Sequence, residues 1–347
     1  MTTPSKPKKQ EYAKPKKREH ATLFDVIGIE SPCMDFALNL DRLPAPNGGA
    51  RLNGYTWQGG GKISTGIIAA ARLGAKCMQI GTLGDDIFGR AVYDDFVRHG
   101  VDVSRMQMIP GSTTSLSVVL SDLETRGRSI MFKTGTAPRT REDDETDLDI
   151  VRSAKFFFLA HLGGINLRAA KIARESGVRV LMDADYPHDG MVENIGFIDD
   201  FIASEFVYNS LFPDSDDYEN NCASIMAKGP RTVVFTLGSK GCAGMDKNGY
   251  FKLATYDVPV IDTLGAGDVF HGAFLAGLLR GWDAKRTADF SNAVSSIKCT
   301  RAGGRAGIPD FKTVMRFMET GEIDYTELDQ RAEYYKRGLE QGGGAFS

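Results

Sequence analysis

Short apolar runs rich in β-branched and aromatic residues alternate with helix-length segments along most of the chain, and this alternation restricts the fold more than any other feature. Residues 24–29, 77–80, 156–160, 178–183, 201–203, 232–237 and 242–245 read as strands. Helical spacing runs through 64–73, 89–98, 166–176, a stretch near 216–228, 267–280 and 285–301, with Gly74 and Gly100 as stops. Parallel strands need crossover connections of helix length. The expectation is therefore an α/β fold, a mostly parallel sheet with helices on both faces. Two stretches break the rhythm. Residues 36–57 are rich in Pro, Gly and Asn, while 113–121 and 129–132 flank the polar link 122–128 as hairpin strands would. They predict a small β appendage, contributed by about 36–57 and 111–135, on a body spanning 21–310. Residues 311–347 predict terminal helices and a flexible Gly-rich tail.

Charge sorts the partners. The net formal charge is −3, which offers no electrostatic case for nucleic acid or an anionic membrane. Residues 1–20 hold seven Lys or Arg against two Glu, a basic arm of +5 in front of a body of −8. With three prolines and few apolar residues, that arm reads as disordered and solvated. No apolar run follows it to make a secretory signal, and none of about 20 residues exists to span a bilayer. Five scattered cysteines without CxxC spacing argue against a disulfide framework or a zinc site, and imply a reducing, cytoplasmic setting.

The segment most suggestive of chemistry is Asp262, Thr263, Leu264, Gly265, Ala266, Gly267 and Asp268, leading into an apolar helix of small residues. A turn without bulky side chains delivers unpaired N–H groups at the positive end of a helix, which suits an anionic oxygen. Asp268 falls in the first helical turn, beside that anion. A carboxylate there can take the proton from a hydroxyl attacking a phosphoryl group; the alternative is that it merely complements the helix dipole. The run from Gly59 to Gly61 followed by Lys62 fails the P-loop pattern, since Thr56 stands at the first glycine position and Ile63 at the final hydroxyl. After the first strand, Gly28 to Cys33 lacks the dinucleotide fingerprint, which discourages an NAD-dependent oxidoreductase. The turn at Thr236, Gly238 and Gly241 lies at a strand's carboxyl end, where ligands bind open α/β sheets, although a hairpin turn fits the same residues.

In combination and order these pieces resemble the PfkB, or ribokinase-like, carbohydrate kinases from about Phe24 to Pro309. The signature D-T-x-G-A-G-D is matched in full by 262–268. The N-terminal signature is matched by Gly60 and Gly61 and by the G-x-x-G-D-D-x-F-G segment at 81–89. The resemblance implies a ribokinase-like core, a β lid over a sugar site, and ATP with Mg2+ as cofactors. It implies Asp268 as catalytic base and Gly265, Ala266 and Gly267 as the anion hole. Asp35, Gly60, Gly61 and the helix start at Lys62 match substrate-contacting positions, with Thr65 where many members carry Asn. Thr236, Gly238 and Gly241 match the nucleotide turn, Asn292 the adenine contact, and Asp262 a position linked in some members to a monovalent cation, usually potassium (K+). The usual N-x-x-E of the magnesium network is replaced by Ser204 and Val207, with Glu205 beside them. Alternatives within the resemblance are a nucleoside (adenosine-type) kinase and a catalytically silent sugar-binding member. The sole partner implied is a small-molecule sugar, with self-association into a homodimer through the lid. Arg128, Lys133 and Arg139 carry charge suited to a phosphorylated sugar, and His161, Asp183 and Asp185 end strands within reach of a ligand.

Overall fold

Strand β1 (Phe24–Ile29) is buried along nearly its whole length, as a central strand covered on both faces must be. In the computed structural model, which describes residues 21–125, 127–138 and 148–337, it pairs in parallel with β4 (Cys77–Gly84) and β8 (Ala154–Leu159). Beyond β4 lies β5 (Met106–Ile109); beyond β8 follow β9 (Arg179–Ala184), β10 (Asp200–Ser204) and β11 (Thr232–Thr236), all parallel. Two antiparallel strands, β12 (Cys242–Asp246) and β13 (Gly249–Leu253), finish that edge of a nine-stranded sheet. Strand order reverses at β1, so the crevice at the carboxyl ends near β1 and β8 is the topological switch point, where such sheets bind ligands.

Two apolar cores lie on opposite faces of the sheet. Phe156, Phe158, Leu181, Ile202 and Val234 point to one side, where α1 (Lys62–Arg72), α2 (Ile87–Arg98), α6 (Ala266–Leu279), α7 (Ala284–Lys298), α8 (Phe311–Thr320) and α9 (Thr326–Lys336) pack. Phe157, Val180, Met182, Phe201 and Phe235 point to the other, under α3 (Gly164–Glu175), α4 (Glu205–Leu211) and α5 (Tyr218–Met226). Each such side chain stabilises the fold by about 1.5–3 kcal/mol relative to exposure. Helix α6 is buried over nine consecutive residues, Val269 to Gly277. It crosses α1 at Gly272 and Gly66, where a Cβ on Gly272 would stand 2.1 Å from the Gly66 carbonyl oxygen. That close crossing sets the N-termini of α1 and α6 side by side at the switch point.

A separate four-stranded sheet has the order β3 (Leu52–Gly59), β2 (Cys33–Leu40), β6 (Ser115–Asp122), β7 (Arg128–Lys133). The expected hairpin across 122–128 is present as β6 and β7. Its inner face is polar around Asp35, Thr56 and Gln58, and Ala37 and Val119 rest on Leu264 of the 262–268 turn. On the outer face Phe36 stacks on Trp57 at 4.0 Å, and Trp57 on Phe88 of α2 at 5.8 Å. Strand β7 is exposed throughout, including Ile130, Met131 and Phe132. Arg128 and Lys133 lie on this exposed edge; Arg139, like the basic arm 1–20 and the tail beyond 337, lies outside the described residues. No helix among the described residues is long and apolar enough to cross a membrane.

Candidate active site

Helix α1 begins with a glycine N-cap that offers no side-chain acceptor, and Glu30 at the end of β1 supplies one. Its carboxylate accepts from Lys62 N at 3.2 Å, Ser64 N at 2.9 Å and Ser64 Oγ at 2.8 Å. Burial raises its carboxyl above the usual range, and the bonds from Ser64 only partly offset this. Asp35 of β2 lies against Gly60 and accepts from Cys33 Sγ at 3.3 Å; burial raises it as well, with the Cys33 bond and Arg305 pulling the other way. Gly60 and Gly61 form the entry to α1. Thr65 is buried in the body of that helix.

The Lys62 side chain reaches across the crevice, 2.9 Å from Asp185 Oδ2 and 4.8 Å over the Tyr186 ring. Burial alone would lower the Lys62 ammonium, but Asp185, Asp183 and Asp268 outweigh it and hold the charge on. These four residues gather where α1, α6 and the end of β9 meet. Asp183 is buried, with no hydrogen-bond donor on either carboxylate oxygen among the described residues. Burial pushes it up to about 8, against the pull of Lys62 and with help from Asp185 and Glu30. Asp268 is pushed well above the carboxylate range, first by burial and then by the negative charge of Asp183 and Asp185, against Lys62 and His271. His271 backs the cluster: Nδ1 lies 2.6 Å from the Gly267 carbonyl oxygen and 3.3 Å from Asp183 Oδ2, and burial lowers its affinity for a second proton.

The 262–268 turn enters α6 with Gly265 at φ +73°, a left-handed conformation that disfavours any side chain there. The Ala266 N–H donates to the Thr263 carbonyl at 3.2 Å, because closing the turn uses it. Val269 N–H is likewise taken by the Gly265 carbonyl at 3.0 Å. Of the expected amides Gly265, Ala266 and Gly267, the turn thus uses that of Ala266, and the Gly267 and Asp268 amides open the first turn of α6.

Thr236, Gly238 and Gly241 form the tight connection between β11 and β12, closed by Leu237 N–H to the Gly241 carbonyl at 2.8 Å. It is a hairpin turn at the position where a ligand turn was expected. Asn292 of α7 stands next to it, donating to the Ala254 carbonyl at 3.2 Å and lying 3.5 Å from Cys242 Sγ. Ser204 caps α4, accepting from Val207 N at 3.3 Å, and donates to the Asp185 carbonyl at 2.6 Å. Val207 is core. Glu205 turns to the 236–241 turn and pairs with Lys240 at 2.9 Å.

Asp262 does not present an open cation site. Oδ1 accepts from Ser121 Oγ at 3.1 Å and Leu264 N at 2.9 Å, and Oδ2 from Gly303 N at 2.8 Å. Its carbonyl oxygen accepts from the fully buried Lys298 Nζ at 3.0 Å. The residues do not fit a free potassium ion held by Asp262.

Sequence reading passed over Glu30, His271, Lys298 and Arg305, and placed Asp183 within reach of a ligand without favouring that over a solvated loop carboxylate. A carboxylate ending a buried apolar strand was the available signal for Glu30 and Asp183. His161 is exposed, 3.3 Å from Asn166 Nδ2, and its ring lies edge-on to His188.

A model of the pfkB family carbohydrate kinases matches residues 22–310. Probable fructokinase-3 of Arabidopsis thaliana is 25% identical over 302 residues, covering 79% of this chain and 87% of that protein. Ribokinase of Haemophilus influenzae is 27% identical over 281 residues, covering 78% and 91%. The structure of Arabidopsis thaliana ribokinase complexed with ribose and ATP superposes with a TM-score of 0.71 at 23% identity, covering 86% of this chain and 99% of that one.

Proposed function

The chain belongs to the pfkB family of carbohydrate kinases, and on that footing we propose that it transfers the γ-phosphoryl group of ATP to a hydroxyl of a sugar or sugar-derived small molecule. One observation carries the reading. Asp268 stands beside the free amides of an α-helix N-terminus, in a recess where burial first, and the charges of Asp183 and Asp185 next, raise its affinity for a proton. That is the property a general base needs.

Asp268 takes the proton of the acceptor hydroxyl as it attacks in line. The Gly267 and Asp268 amides bind the oxygens of the transferred group, and Lys62 offsets their charge. Asp35, lying against Gly60, orients the sugar hydroxyls. The turn at Thr236, Gly238 and Gly241, with Asn292, receives the nucleotide. A bound Mg2+ would be held by Asp183, whose buried oxygens accept no hydrogen bond among the described residues, and would supply charge neutralisation at the β and γ phosphates. The small sheet, resting on Leu264 through Ala37 and Val119, is the lid; its closure keeps water from the phosphoryl group.

The test is substrate-dependent ADP release across sugars, sugar acids, sugar phosphates and nucleosides, with Asp268→Asn in parallel. A loss of at least ~10²-fold in kcat is expected for the variant, the scale of removing a general base. No stimulation by any substrate, or near-normal turnover by Asp268→Asn, overturns the reading. The same reading includes a homodimer through the lids, supported by the exposed apolar residues Ile130, Met131 and Phe132 on the edge strand. Light scattering should then give twice the chain mass, and Phe132→Lys should shift it toward one; a wild-type monomer ends that part of the proposal.

A further inference from the structure

Lys298 is the last residue of α7 and has no exposed surface. A lysine so placed loses about 2 kcal/mol of side-chain freedom and gives up its hydration, so it needs compensation. Among the described residues the hydrogen bond recorded for Nζ goes to the Asp262 carbonyl oxygen at 3.0 Å. Two further sources of negative potential are at hand: the Asp262 carboxylate on the same residue, and the C-terminal end of α7, whose dipole favours a cation.

What this ammonium touches is the start of the catalytic turn. Asp262 is gripped at every polar atom: its N–H by the Cys299 carbonyl at 3.1 Å, its carbonyl by Lys298, and its carboxylate by Ser121, Leu264 and Gly303. Ser121 belongs to the lid strand β6, and Gly303 follows α7. On the far side, Ser295 Oγ of α7 donates to the Ala266 carbonyl at 2.9 Å. The turn that aims the Gly267 and Asp268 amides is thus held from α7, with one positive charge at its root.

We infer that Lys298 is a built-in cation for the 262–268 turn, doing with a covalently attached ammonium what a bound monovalent metal ion could otherwise do. The protein then works without potassium. Lys298 is a positioning residue, acting on the amides through Asp262, and the inference rests on the kinase reading only for its activity readout.

The experiment compares potassium with choline at matched ionic strength, following both turnover and thermal midpoint. Wild-type protein should give the same kcat and the same Tm in either salt. Lys298→Met keeps the volume without the charge, and its kcat should fall at least about tenfold, below the about 10²–10³ lost with a donor that contacts the anion itself. Lys298→Ala leaves room for an ion, so its kcat and Tm should rise in potassium or ammonium but not in choline, while Lys298→Met should show no such rescue. A wild-type kcat or Tm raised by potassium overturns the inference, and so does wild-type kcat in both variants. If both variants fail to fold, the wild-type comparison decides alone. If wild type turns over no substrate, the kinase reading fails, and the Tm comparison still judges Lys298.

Discussion

Asp183 and Asp268 share one recess, and the protein gives them too little charge compensation for both to ionise easily. Lys62 is the ammonium drawn on by Asp183, Asp185 and Asp268 together. For Asp183 the ordinary value is 3.8 and the folded value about 8, so folding raises its proton affinity. A raised acid contributes stability that is fully present below the ordinary value and is lost as pH climbs through the folded one. Without ligands, the thermal midpoint should therefore fall between about pH 4 and about pH 8, and Asp183→Asn, which cannot ionise, should flatten the slope. Parallel wild-type and variant profiles would refute this account. The proposed catalytic turn was readable in the sequence because its pattern is local: glycines at fixed spacing and an acid one step on. The Asp183 environment was not, because its charge partners Lys62, Asp268 and Glu30 lie 85 to 153 positions away in the chain, and only the crossing of α1 on α6 brings them together.

At the scale of elements, local pattern and tertiary demand agreed where segments were long and apolar. Strand β1 begins and ends where the run of apolar residues does, and α1, α2, α6 and α7 fall within two or three residues of their expected limits. Misses cluster where an element carries little periodic signal. Strand β5 has four residues, and β13 has a single buried residue, Phe251, to mark it. Helix α4 has seven residues and depends on its Ser204 cap. The most consequential element feature is the start of α1. Its first-turn donors are met by Glu30 from another strand, not by a residue of its own approach, so no cap motif near Gly61 could have announced it. That same long-range cap fixes the Lys62 backbone over β1, and with it the base from which the Lys62 side chain crosses to Asp185.

Across the whole molecule, the C-terminal helices and the Gly60 entry to α1 are tied by a buried polar chain. Arg305, fully buried, donates Nη2 to the Gly60 carbonyl at 3.0 Å and Nη1 to Asp95 Oδ2 at 2.6 Å; its own backbone N–H donates to Gln58 Oε1 at 2.6 Å. Asp95 of α2 also accepts from the Tyr335 hydroxyl of α9 at 2.5 Å. The Arg305 charge and bonds hold Asp95 below the usual range although burial alone would raise it. One face of this chain holds the loop that contacts Asp35, and the other holds α9, whose Leu328 joins the larger core. Removing the carboxylate strands a buried guanidinium, a loss on the order of 3–5 kcal/mol, whereas removing the Tyr335 hydroxyl deletes one bond to a charged group, about 1.5–3 kcal/mol, and a weaker one with His99 Nε2 at 3.1 Å. Asp95→Ala should therefore lower the urea midpoint more than Tyr335→Phe. Because Arg305 then loses its anchor against Gly60, Asp95→Ala should also raise KM for the sugar more than KM for ATP, whose expected turn at 236–241 lies on the opposite part of the sheet. Equal midpoints for the two variants, or a KM change confined to ATP, would show that this chain does not hold the sugar-side loop in place.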